Sequence, residues 1–187
     1  MTPEHQSLVS EIHGRVGRNV IRVQALERGL KALVPLLDLQ GKSHCFDGLE
    51  DRSAQSARNT LGQLVGSFLR STSGDNSGFT ETFEKIVTDR NNLVHHFHDL
   101  IGTMMSTSEG CVRAKQQLDE QFELIKLFEN LVNALIMEVL HAIRDITFRG
   151  TTEHGDFAVL CDRLGAAFHS ANLADFSTSP SKDRRIG

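Results

Sequence analysis

The sequence contains neither Trp nor Tyr, so eleven Phe residues supply all of its aromatic packing. It also lacks a strong excess of either charge: 20 Lys and Arg stand against 24 Asp and Glu, a net charge of −4. This balance excludes a generally basic protein that coats nucleic acid by broad phosphate neutralisation, but it allows a local basic cleft. With 39% apolar residues, a chain of 187 residues can bury a core without disulfide or metal support.

Cysteine is scarce, and a long apolar run is missing. The three Cys residues are odd in number and widely spaced without a CxxC pair, which indicates reduced thiols in a cytoplasmic protein. The first residues lack the basic and apolar regions of a secretory signal. The longest apolar tract, residues 131–143, is interrupted by polar side chains and falls short of the roughly 20 residues that a membrane span needs. We therefore expect a cytoplasmic protein with no membrane contact.

Sustained period-two alternation is absent as well, and helical spacing takes its place. Apolar residues recur every three or four positions along a first helix, which Pro35 should end or kink: Ile12, Val16, Val20, Val23, Leu26, Leu30, Leu33 and Leu37. Similar patterns predict helices near residues 53–70, 80–101, 110–149 and 153–169, with a polar loop at 71–78. The predicted fold is all-α, an up-and-down bundle of four to five helices.

The pattern predicts three regions: a helical bundle at 1–150, a short helical appendage at 151–176 and a flexible tail at 177–187. A helix of forty residues would be about 60 Å long, more than a compact domain of this size needs. It must either bend or pack against a second copy. The long stripe on the first helix forms either core or a dimer face, and the pattern does not separate the two.

Residues 89–99 contain the candidate catalytic residues of the chain. Asn91, His95 and Asp99 follow one another at i, i+4 and i+8, so an uninterrupted helix would place them on one face. Arg90 lies about 140° around the helix from His95, but its long side chain can lean toward the same cleft. The set combines a permanent cation, an imidazole that titrates near neutral pH, and an amide and a carboxylate that can orient it.

An Arg, a polar residue after it and a His that follows four intervening positions resemble the signature of HEPN domains (higher eukaryote and prokaryote nucleotide-binding). The matching residues here are Arg90, Asn91 and His95. The surrounding residues 93–97 and the early segment 26–31 are similar to that family too, and the resemblance covers about residues 15–149. It implies a helical homodimer whose motif helices face each other across a shared cleft.

The resemblance also implies a metal-independent endoribonuclease without a cofactor, in many members a toxin paired with an antitoxin protein or a part of phage defence. RNA supplies its own nucleophile, the 2′-OH. His95 would act as general base or acid, Arg90 would hold the scissile phosphate, and Asn91 would position the imidazole or a phosphate oxygen. Asp99 would help to orient the imidazole. Some toxins of this family carry a Tyr that the antitoxin modifies; Phe97 stands at that position here, which excludes this form of silencing.

Three other interpretations stay open. Arg90 and His95 can serve structure alone, through bonds between helices or pairing with Asp89 and Asp99. The chain can also be a non-catalytic HEPN-like dimer that binds a nucleotide or a protein. A metal-binding bundle is the third, but it needs two Glu-x-x-His motifs, and the sequence offers one, at Glu138.

Overall fold

The computed structural model describes residues 2–37, 47–71 and 77–174, and within these ranges the chain is helical with no strand. The predicted all-α helical bundle is therefore confirmed. In chain order the elements are α1 (Pro3–Leu37), α2 (Asp47–Ala57), α3 (Leu61–Ser71), α4 (Ser77–His95), a π-helical turn (His98–Gly102), α5 (Ser108–Thr147) and α6 (His154–Ala174).

The helices group into two compact units, Met1–Val132 and Asn133–Gly187, and the boundary between them falls within α5. In the second unit the Phe148 ring stacks on Phe157 with 4.9 Å between centroids, and Cys161 is fully buried. The predicted tail, 177–187, lies outside the described residues.

Helix α1 packs against α2, α3 and α4 in the first unit. Five residues of its predicted apolar stripe are buried: Ile12, Val23, Leu26, Leu30 and Leu33. The same helix also buries two polar residues that the periodicity did not predict, Asn19 and Arg22. Most of the stripe therefore packs in the core, as its spacing predicts, but the buried side of α1 also includes these two polar residues.

The single helix predicted at 53–70 is wrong, because it is two helices, α2 and α3, separated at residues 58–60. Thr60 and Gln63 form a capping box at the start of α3: the Thr60 backbone N–H donates to Gln63 Oε1 at 2.8 Å, and Gln63 N–H donates to Thr60 Oγ1 at 3.5 Å. This reciprocal pair satisfies amides that have no partner within the helix and starts a new helix there.

The helix predicted at 80–101 is also interrupted. Helix α4 ends at His95, His96 forms a bend, and a π-helical turn follows. Gly102 ends this turn, and a Cβ at that position would come within 3.1 Å of His98 Nδ1. The missing side chain therefore gives His98 room, which a pattern of apolar spacing does not register.

A polar network joins α1 to the N-terminal part of α5. Asp119 accepts hydrogen bonds from Arg15 Nε at 3.1 Å and from Arg18 Nη2 at 2.7 Å. The guanidinium of Arg18 also lies 3.9 Å from the centroid of the Phe122 ring, a cation–π contact. The exposed end of the network thus combines ion pairing with aromatic packing.

Two members of this network lie deeper. Asn19 Nδ2 donates to the Leu118 carbonyl at 2.7 Å and to Gln121 Oε1 at 3.3 Å. Arg22 Nη1 pairs with Glu129 Oε2 at 2.8 Å, and the two side chains are only 11% and 10% exposed. Since a buried charge without a partner is costly, each of these two residues requires the other.

We expect removal of one partner of the buried pair to destabilise the fold strongly. Arg22→Met and Glu129→Leu should each lower the free energy of unfolding by about 3–5 kcal/mol, because each removes one partner of a buried ion pair of 2.8 Å. The double variant should lose less than the sum of the two. Urea unfolding followed by circular dichroism measures this, and Arg113→Ala, which breaks an exposed pair with Glu109, should cost at most about 1 kcal/mol. Additive losses in the double variant would contradict the coupling.

The network also predicts a pH dependence. Burial raises the pKa of Asp119, but hydrogen bonds from Arg18 and Arg15 outweigh it and hold the pKa below its ordinary value. A carboxylate with a lowered pKa stabilises the fold above its unfolded value, about 3.9, and this contribution is lost as pH falls through the folded pKa. Asp119→Asn should therefore flatten the loss of unfolding free energy below about pH 4. An acid titration by urea unfolding tests this, with the exposed Glu84→Gln variant as control; an unchanged acid limb in Asp119→Asn would contradict it.

Gly110, in the first turn of α5, is required by close packing. Its N–H donates to Thr107 Oγ1 at 3.0 Å, and a Cβ there would overlap the carbonyl oxygen of Met104. Gly110→Ala should destabilise the protein by about 1–3 kcal/mol, because backbone must move. Gly14→Ala is the matched control: nothing lies within 4 Å of a Cβ at that α1 position, so the change should stabilise by up to about 1 kcal/mol. Thermal unfolding distinguishes them, and equal melting temperatures would refute the packing argument.

Candidate functional site

The candidate site lies on the C-terminal half of α4. One side of this helix is buried in the first unit. Phe83, Ile86 and Leu93 are its buried residues. The Phe83 ring packs edge-on against Phe128 with 4.4 Å between centroids and against Phe68 with 5.6 Å. This aromatic cluster fixes the rotation of α4, so the opposite side of the helix faces outward.

Arg90 lies about 20° around the helix from the buried Phe83, on the side of α4 that faces α1, whereas His95 lies about 120° from Phe83 and faces outward. Asn91 and Val94 lie at intermediate angles. Arg90 is partly exposed, the other three are exposed, and the exposed fraction of Val94 is 47%. On an α-helix these four positions cover an arc of about 140°, with Val94 and Asn91 between Arg90 and His95. Asn91 and His95, about 40° apart, share one face of the helix, and Arg90 lies about 140° from His95, the angle that the spacing predicts.

Within the described part of the chain, neither Arg90 nor His95 forms an ion pair. Arg90 Nη1 donates to Asn91 Oδ1 at 3.1 Å, whereas Asp89 is held by Lys85 Nζ at 2.8 Å. The interpretation that Asp89 neutralises Arg90 is therefore wrong. Among the described residues, the Arg90 guanidinium has no carboxylate partner.

Arg90 lines two cavities of the first unit. The smaller, about 190 Å³, lies against α1 and is lined by Val20, Val23, Gln24, Glu27, Leu93 and Val94 as well. The larger, about 520 Å³, lies between α1, the α2–α3 connection and α4. Asn91 lines this larger cavity too, and so the Arg–Asn dipeptide of the motif faces it as a unit.

The larger cavity contains three cations and one carboxylate. Lys31 and Arg58 join Arg90 in its wall, and the carboxylate is Glu27, which binds Lys31 Nζ at 2.8 Å. Sequence reasoning missed Lys31 and Arg58. The Thr60–Gln63 capping box is the signal that could have found Arg58, because it places residues 58–60 in a connection instead of a helix interior.

His95 is the last residue of α4 and lines neither of these cavities. Within one copy of the chain, the imidazole and the guanidinium therefore lie on different sides of α4. The structure brings Arg90 and Asn91 together, and it does not place His95 in the same cavity.

Asp99 departs from the prediction that it shares a face with His95. That prediction requires α-helical spacing over eight residues, but α4 ends at His95 and Asp99 belongs to the π-helical turn. A π-helical turn bonds i to i+5 and so changes the angle between successive side chains. Asp99 is exposed, and its carbonyl accepts a hydrogen bond from Thr103 Oγ1 at 3.1 Å. Single π-helical turns occur frequently at functional sites.

Two features of the described residues bear on the other interpretations. No three or more His, Cys, Asp or Glu side chains within the described ranges are grouped so that they could hold a metal ion. Among the helices of 2–37, 47–71 and 77–174, none has the length and apolar character to cross a membrane.

No protein-family model, curated protein or solved structure matches this chain. The interpretation of the site therefore rests on its own residues.

Proposed function

We propose that this chain is a metal-independent endoribonuclease of the HEPN type that acts as a homodimer. The observation that carries the proposal is that Arg90 and His95, both on the C-terminal half of α4, form no ion pair with described residues. A role in joining helices would require bonds to another helix, and within the described ranges no hydrogen bond or ion pair joins Arg90 or His95 to one. The cationic cavity beside Arg90 adds the charge that an RNA backbone requires.

The homodimer follows from the separation of the two groups. His95 lies outside the cavities that Arg90 lines, so one copy does not assemble both around a phosphate. Val94, between them and 47% exposed, supplies apolar surface on which a second copy can pack. Packing of two α4 helices on this side would place Arg90 of one copy beside the partner's His95.

The chemistry is an internal transfer at phosphorus. The His95 imidazole takes the proton of the ribose 2′-OH, the 2′-oxygen attacks the neighbouring phosphorus, and the bond from phosphorus to the 5′-oxygen breaks. The second imidazole of the dimer donates a proton to that leaving oxygen. Arg90 stabilises the negative charge on the non-bridging oxygens, and Asn91 orients Arg90 through the 3.1 Å hydrogen bond. The products are a 2′,3′-cyclic phosphate and a 5′-OH.

Lys31 and Arg58 would hold a neighbouring phosphate of the same strand in the cavity of about 520 Å³. Contacts of this kind position RNA without reading its sequence. The biological setting that fits this activity is a cytoplasmic toxin or phage-defence enzyme that an antitoxin protein masks by binding, because the chain has no Tyr for modification.

One observation favours a second candidate, a non-catalytic HEPN-like dimer that binds a nucleotide or a protein. The larger cavity has three cations and an amide in its wall without any contribution from His95: Lys31, Arg58, Arg90 and Asn91. Such a cavity can bind phosphate groups with no general base nearby. The two candidates differ in what happens to bound RNA.

The test is cleavage of single-stranded RNA by the purified chain in the presence of EDTA. His95→Ala should lower the rate by about 10²–10⁴-fold, since a general acid or base contributes that much. Arg90→Ala should lower it by about 10²–10³-fold through lost charge stabilisation. The matched control is His96→Ala, the exposed neighbour at the bend, which should leave the rate unchanged. A 2′-deoxy substitution at the scissile position should block cleavage.

The composite site predicts complementation. Mixing the inactive His95→Ala and Arg90→Ala chains should restore part of the cleavage, because one site in a mixed dimer then contains Arg90 and one His95, although the second imidazole is missing. Binding of RNA with no cleavage by the wild type would instead support the binding module. Equal rates in wild type and both variants would refute the assignment of the site.

A further inference from the structure

A separate cavity lies on another side of the first unit, between the C-terminal end of α1, helix α2 and helix α3. Its volume is about 390 Å³, within the usual range for small-molecule sites. One wall is apolar and consists of Val34, Pro35 and Leu37. It shares neither Arg90 nor His95, so an inference drawn from it stands apart from the proposed ribonuclease activity.

The rest of the lining is cationic and rich in hydrogen-bonding groups. Two guanidinium groups, Arg52 and Arg70, line the cavity together with hydroxyl and amide side chains: Gln55, Ser56, Asn59, Ser67 and Ser71. None of the described lining residues is a carboxylate. The cavity therefore carries two positive charges that its own described wall does not neutralise.

Arg52 gives the second observation. Its Nε is shielded from solvent and has no hydrogen-bond partner, the one such buried side-chain atom found among the described residues. More than nine in ten buried polar groups in proteins have a partner, and a charged donor without one is costly. Because this donor is shielded from solvent, a ligand in the cavity would reach it only through a shift of the Arg52 side chain. The missing acceptor shows that the described residues leave the hydrogen bonding of this guanidinium incomplete.

Arg70 is held in place at the same cavity. Its Nη2 donates to Ser67 Oγ at 2.9 Å, while Ser71 Oγ donates to the Ser67 carbonyl at 3.0 Å. Ser56, on α2 across from these residues, is only 5% exposed. The donors therefore come from two helices, and those of α3 are fixed by local hydrogen bonds.

We propose that this cavity binds the phosphate group of a small phosphate monoester. A guanidinium presents a planar set of N–H donors that matches phosphate oxygens, and two of them balance a dianion. Hydroxyl groups supply further donors for the remaining oxygens. The cavity is larger than a phosphate ion, and its apolar wall at Val34, Pro35 and Leu37 gives the organic part of the ester a surface to pack on.

The test is isothermal titration calorimetry and thermal unfolding of the full chain at constant ionic strength, with three probes. Phenyl phosphate should bind and raise the melting temperature. Inorganic phosphate should bind more weakly, because it lacks an organic part to contact the apolar wall. Succinate, a dianion without phosphate, should cause no shift; tighter binding of succinate would overturn the assignment to phosphate.

Variants decide whether the binding belongs to this cavity. Arg52→Gln and Arg70→Gln should each weaken phenyl phosphate binding by at least about tenfold, since hydrogen bonds to charged groups are the strong ones. Arg70 is exposed, so its variant keeps the test valid if Arg52→Gln fails to fold. Leu37→Asn should reduce the preference for phenyl phosphate over inorganic phosphate.

Arg113→Gln is the matched control, because Arg113 is an exposed arginine of α5 that lines neither this cavity nor the cavity of the proposed ribonuclease site. It should leave phenyl phosphate affinity unchanged. Loss of affinity in Arg58→Gln but not in Arg52→Gln or Arg70→Gln would move the ligand to the other cavity and overturn the inference. Absence of any calorimetric signal for all phosphate probes would overturn it too, whatever the outcome of the RNA cleavage assay.

Discussion

The buried pair of Arg22 and Glu129 is the constraint on which the first unit depends. It joins α1 to α5 at 2.8 Å with about nine-tenths of each side chain removed from solvent. Apolar residues tolerate small shifts between helices, whereas a charge pair in low dielectric tolerates almost none. Asn19 adds a second fixed point one helical turn earlier through its bond to the Leu118 carbonyl. Together they fix the register of α1, the helix against which α2, α3 and α4 pack.

The apolar periodicity was sufficient to predict the helical class and most of the α1 core, because burial of Leu26, Leu30 and Leu33 follows from spacing alone. It could not predict the buried Asn19 and Arg22. Their burial depends on partners about a hundred residues away, which local spacing does not contain. The break between α2 and α3 was locally encoded in Thr60 and Gln63, but apolar spacing continues across it.

The residues of the candidate site likewise divide into those that local spacing predicts and those that only the tertiary structure brings together. The angles between Arg90, Asn91 and His95 could be predicted because the three residues lie within one helix, where spacing determines these angles. Asp99 could not, since a π-helical turn changes the angle between side chains and nothing in the apolar pattern marks it. Lys31 and Arg58 reach the site from α1 and from the α2–α3 connection, so only the tertiary structure brings them to Arg90.

The α2–α3 connection links the two cavities in physical terms. Asn59 lines both of them, with Arg58 on the side of Arg90 and Ser56 on the side of Arg52. The Thr60–Gln63 capping box holds the start of α3, and the Asn59 N–H donates to the Ser56 carbonyl at 3.1 Å. A shift of this short segment would move a cation of one cavity and a hydroxyl of the other at once. The chemistry of both cavities therefore depends on a cap of two residues, neither of which carries a charge.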